Sequence, residues 1–295
     1  MEFLQFFSLI LILCFFTIGK IVTQRRCARL HVQTTVDSFR MIALFFLFTS
    51  LAFLPLLLFS SPSPEVLLWA IPAALLNLSF QVSYTLALSC GPAGITVLLS
   101  NLSMILPVLG ATVFLGESFG TYRILGLILT VAALFLNTDL RKQDKARPPR
   151  AWVIYMTLTF FSNALASFWQ KLFAKGQYGT EVASYGFFSY ALAAAMAAIF
   201  LLLLRKNGVR AKAPISRSLV GLTALIGLFL GFFQYFFTYS QRVLDASLLL
   251  PIYNGATTVL MMLVSVLFYK EKLTRKRLAS AIVGVMAIAL FGITR

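Results

Sequence analysis

The chain has 295 residues, of which 60% are hydrophobic and 12% charged, and it carries a net charge of +16. That balance excludes a water-solvated globular domain, which needs far more charge to stay hydrated. The Lys and Arg excess lies in short segments between apolar blocks, without an interleaved aromatic face. It therefore speaks against nucleic acid as a partner and for a lipid bilayer.

The apolar blocks have the length, about 18–25 residues, that a helix needs to cross about 30 Å of hydrocarbon. Helices satisfy their own backbone groups in lipid, so the fold class expected is an all-α polytopic membrane protein. Ten transmembrane helices are predicted, at about 2–21, 39–60, 65–89, 93–115, 122–139, 151–173, 182–204, 217–240, 246–269 and 277–293.

Met1 to Gly19 lacks a basic leader, carries Glu2 and shows no small-residue cleavage pattern before Lys20, so it reads as a retained first span rather than a signal peptide. Lys20 is placed at the end of that span. The basic loop that follows holds Arg25, Arg26 and Arg29 together with His31, the chain's single histidine. Cys14, Cys27 and Cys90 form no CxxC pair and read as small apolar residues. No metal and no cofactor is expected. Ser61-Pro62-Ser63-Pro64 and Gly91-Pro92 mark tight turns, while Pro55, Pro72, Pro107 and Pro251 fall inside spans, where membranes tolerate kinks.

Asp139 to Arg150 is the longest polar stretch, and a basic linker at 141–150 divides the chain into five-helix halves at 1–140 and 151–295. Sliding the chain by 154 residues superimposes the halves: Glu117 falls on Glu271, Arg123 on Arg277, Gly126 on Ser280, Thr130 on Gly284 and Ala133 on Ala287. Small residues thus recur down one face of the fifth and the tenth span, a pattern that lets helices approach closely in lipid. Of the 25 Lys and Arg, alternate connections put 20 on one side of the membrane and 5 on the other. The positive-inside rule makes the first side cytoplasmic and puts both termini outside. Equivalent connections in the halves carry opposite charge bias, as expected when five helices per unit invert the second copy.

Gly94-Ile95-Thr96-Val97-Leu98-Leu99 through Pro107, then Leu115-Gly116-Glu117, then Arg123-Ile124-Leu125-Gly126, resemble the drug/metabolite transporter superfamily, specifically proteins with two EamA-type domains. The second copy keeps Glu271 and Gly284 but has Met261 where the first has Pro107, and Lys270 where it has Gly116. The resemblance implies a central cavity lined by spans three, four, eight and nine, peripheral spans five and ten, export of solute and cytoplasmic termini. On the last point it disagrees with the charge distribution.

Polar side chains in the membrane core are the candidate binding residues. They are Asn77, Gln81 and Tyr84 in span three, Asn101 in span four, Asn163 and Trp169 in span six, Gln234 and Tyr235 in span eight, and Tyr253 and Asn254 in span nine. Asn77, Gln81 and Tyr84 share one helical face. All nine acidic residues lie at span ends or in loops, so a buried carboxylate exchanging protons for a cationic drug is not supported. Lys20 and Lys171 occupy equivalent helix ends and read as snorkelling to the interface or as attracting an anionic group. Glu117 and Glu271 read as turn caps or as partners of Arg123 and Arg277.

These features point to a secondary transporter of a small neutral, zwitterionic or anionic metabolite in the plasma membrane. The small-molecule substrate and the bilayer are its partners, and a homodimer is left open. A carrier of lipid-linked or nucleotide-activated substrates is the alternative. An enzyme would need a nucleophile–base pair or metal ligands at membrane depth, and the sequence offers none. A non-transporting membrane protein is the remaining reading.

Overall fold

The computed structural model describes residues 3–58, 62–138, 149–206, 211–269 and 274–293. Eleven α-helices make up the described residues, in the order α1 (Phe3–His31), α2 (Thr35–Leu57), α3 (Glu65–Cys90), α4 (Ala93–Leu102), α5 (Ile105–Leu115), α6 (Thr121–Asn137), α7 (Arg150–Lys175), α8 (Val182–Lys206), α9 (Arg217–Val243), α10 (Ala246–Tyr269) and α11 (Arg275–Ile293). With α4 and α5 taken as one run, eight stretches among the described residues are long and apolar enough to cross a membrane. The apolar helices Thr121–Asn137 and Leu278–Leu290 are shorter. Large hydrophobics such as Phe15, Leu68, Val113 and Phe114 face outward, the arrangement expected where lipid replaces water.

Two expectations change here. The first helix does not end near Lys20 but continues to His31, so Arg25, Arg26 and Arg29 ride on helix rather than loop. His31, expected in a loop, closes that helix and hydrogen-bonds Ser218 at 3.1 Å. The turn to α2 is fixed by a capping box in which Thr34 Oγ1 accepts from the Asp37 amide while Asp37 accepts from the Thr34 amide. The second change is in span four, which breaks at Ser103–Met104 into α4 and α5. Pro107 has no N–H for the Ser103 carbonyl, and the chain tightens so that the Met104 amide bonds Asn101 O instead of Ser100 O. In the second half Met261 stands in the corresponding place, and α10 runs unbroken.

The halves interlock instead of standing apart. α3 packs on α7 as α1 packs on α9, and α3 on α8 as α2 on α9. α2 meets α8, α6 meets α11, and α4 and α5 meet α7 as α10 meets α1. Exchanging the halves maps each of these pairs onto another or onto itself, the pattern a pseudo-twofold axis produces. The two small faces meet each other: Ser280 Oγ donates to Ala133 O at 2.7 Å, and a Cβ at Gly284 would lie 3.9 Å from that of Ala133. At Gly91 a Cβ would fall 1.9 Å from Trp152 Cδ1, so glycine alone admits this indole, whose Nε1 donates to Thr96 Oγ1 at 2.9 Å. Trp152 thereby fastens the start of the second half to the α3–α4 turn. Of the predicted linker, 141–148 lies outside the described residues, as do Glu2, Lys270 and Glu271.

Candidate functional site

Three groupings of polar side chains bear on the candidate residues. The first is a small cavity between α2, α3, α7, α8 and α9, with about 10 Å³ of free volume, roughly room for one water. Asn77 and Phe53 line it from the first half, and Gln170, Tyr190, Gln234 and Thr238 from the second. Gln170 Nε2 donates to Thr238 Oγ1 at 2.6 Å and to Gln234 Oε1 at 3.1 Å, and Gln234 Nε2 donates to the Tyr190 hydroxyl. Gln234 and Thr238 are four residues apart and so point the same way from α9. Gly186 permits the close packing of α8, because a Cβ there would meet the Phe53 ring at 2.4 Å.

The second place is the break in span four. Asn163 Nδ2, on α7, donates to Ser100 O at 3.1 Å and Ser103 Oγ at 2.7 Å, occupying the carbonyl that the break frees. Asn254 on α10 reaches Met104 Sδ at 3.2 Å. Beside it Tyr253 and Thr17 share a hydrogen bond of 2.8 Å between α10 and α1. Both asparagines hold the broken helix in shape.

The third is an ionic cluster where the end of α7 meets the α5–α6 and α9–α10 turns. Lys171 Nζ lies 2.5 Å from Glu117 Oε1 and donates to Gln241 O and Leu244 O at 2.8 and 2.6 Å. Glu117 Oε2 accepts from the Ala246 amide at 2.6 Å and so caps α10. Arg123 pairs with Asp245 at 2.6 Å. Lys171 therefore does not snorkel, since its side chain is 1% exposed, and Glu117 pairs with it rather than with Arg123. The Glu271–Arg277 counterpart falls on Glu271, outside the described residues.

Of the residues singled out from sequence, the cavity brings together only Asn77 and Gln234. Asn163, Tyr253 and Asn254 group around the helix break. Trp169 packs at a tilt against the Trp69 ring and donates to the Trp69 carbonyl at 2.9 Å. Tyr84 stacks on Phe80, Tyr235 packs into the apolar cluster between α2, α8 and α9, Gln81 is buried in α3, and Asn101 is half-buried near the end of α4. Sequence reasoning passed over Gln170, Tyr190 and Thr238. The signal available was the four-residue spacing of Gln234 and Thr238. Tyr190 had none, because α8 carries it among Ala and Ser.

Apolar, membrane-length helices in two interlocked halves define a multi-pass integral membrane protein. The sequence pattern of the EamA-like transporter family matches residues 6–138 and again residues 141–293. The chain belongs to that family, whose members are membrane transporters of small molecules. A solved crystal structure resembles it over 98% of this chain and 95% of its own, with a TM-score of 0.75 and 17% identity, a likeness of fold. No curated protein matches the sequence.

Proposed function

We propose that the chain is a secondary transporter of a small neutral, zwitterionic or anionic metabolite, working by alternating access in the plasma membrane. Ten spans, with α6 and α11 as the shorter two and α4–α5 as one, form inverted repeats whose basic connections face the cytoplasm. Family resemblance favours export. The observation that carries this reading is the cavity lined by Asn77 from one half and by Gln170, Gln234 and Tyr190 from the other. Its neutral amides and hydroxyls offer both donors and acceptors, and no Asp or Glu lines it. Room for about one water means that a solute enters only when the halves separate at this level. Reconstitution in liposomes with a panel of amino acids, sugars and organic anions tests it. The expected result is flux of at least one compound, falling about tenfold or more in Gln234→Ala, as for loss of hydrogen bonds worth about 1.5–3 kcal/mol. Absence of flux for every compound, or flux indifferent to Gln234→Ala, would refute the reading.

A further inference from the structure

Lys20 stands on α1 eleven residues before the helix ends, and among the described residues it is the one charged side chain more than ten residues from both ends of its helix. Its depth is set by its neighbour. Gly19 is pressed against the Phe229 ring, which a methyl group at Gly19 would meet at 2.7 Å, and Phe229 lies twelve residues from one end of α9 and fourteen from the other. Lys20 is therefore level with the middle of α9.

Its face is also defined. At about 100° per residue, Leu13, Thr17, Lys20 and Gln24 fall within about 60° of one another. Leu13 is fully buried and Thr17 hydrogen-bonds Tyr253 of α10, so this face looks into the protein. Yet Thr17, Lys20 and Gln24 all retain partial exposure, so this polar stripe is not sealed by its neighbours. The corresponding lysine of the second half, Lys171, has Glu117 and two carbonyls around it. Lys20 has no hydrogen bond and no ion pair among the described residues. An ammonium held at this depth is costly unless water and a counter-anion reach it.

We propose that Lys20 is the binding residue for an oxyanion group, carboxylate or phosphate, on the transported solute. This rests on the transporter reading and narrows it to small organic anions. One charge-assisted contact from Lys20, with the Thr17 and Tyr253 hydroxyls one turn away, would orient the anionic end of the solute.

The test uses the full chain purified in phospholipid-free detergent, with its unfolding temperature followed against sodium benzoate, sodium succinate and inorganic phosphate, and benzamide as the neutral comparison. The expected result is a rise with at least one anion and none with benzamide, with the half-saturating concentration raised about tenfold or more in Lys20→Gln and largely kept in Lys20→Arg. In the unmodified protein the same anion should protect Lys20, and not Lys175, from a small amine-acylating reagent, read by mass spectrometry. This second measurement decides the matter even if Lys20→Gln does not fold. An anion response unchanged in Lys20→Gln, no response to any of the three anions, or a response to phosphatidylglycerol alone would overturn the proposal. Anion protection of Lys20 without flux of any compound would sink the transport reading and keep the site. Flux of a neutral solute unaffected by Lys20→Gln would do the reverse.

Discussion

Lys171 Nζ sits 2.5 Å from Glu117 Oε1, joining the end of α7 in the second half to the loop after α5 in the first, with both side chains nearly excluded from solvent. Around this pair Glu117 caps α10 and Lys171 gathers the last carbonyls of α9, so a few side chains tie together four chain segments.

Breaking the pair from one side strands a buried charge. Lys171→Met or Glu117→Gln is expected to cost about 3–5 kcal/mol, and the double variant less than the sum, because neither charge is then left alone. Thermal unfolding of the purified variants checks this. Losses that simply add would show that the two side chains act independently.

Gly91→Ala places a methyl group inside the Trp152 indole. Overpacking of this kind is expected to cost about 1–3 kcal/mol, and Trp152→Ala in the same chain should relieve the clash, leaving the double variant more stable than Gly91→Ala plus Trp152→Ala would imply. An unfolding temperature for Gly91→Ala equal to that of the parent would contradict the packing described.

Asn163→Leu removes the donor that occupies Ser100 O at the break in span four. The expected loss is about 1–3 kcal/mol for the desolvated carbonyl, offset in part because Ser103 Oγ also donates to it at 2.6 Å. Proteolysis or amide exchange should locate the loosening at residues 100–107. Protection there unchanged from the parent would mean that Asn163 does not support the break.

Local features were legible where sequence spacing carries the information. Helix spans followed from apolar length, and the small faces of α6 and α11 were visible in Gly126, Thr130 and Ala133 matched against Ser280, Gly284 and Ala287, although not that the two faces meet each other. The break in span four was not legible, although Pro107 was in view. Pro55, Pro72 and Pro251 stand inside unbroken helices, and what differs is a set of partners, Asn163 and Asn254, brought in from α7 and α10. Lys20 was misplaced because apolar residues thin out after it, whereas helix continues for three more turns of basic sequence packed on α9. The cavity was half-read. Asn77 and Gln234 stood out as amides in apolar surroundings, but Gln170 and Tyr190 gain meaning only when α7, α8 and α9 are side by side.

The central claim is that the cavity between the halves opens to each side of the membrane in turn. The most direct measurement replaces Cys14, Cys27 and Cys90, introduces Ser189→Cys in the cavity wall, and applies a membrane-impermeant thiol reagent to sealed right-side-out and inside-out vesicles. Alternating access predicts modification of Cys at this position from both faces. Modification from one face only, or from neither, would contradict it.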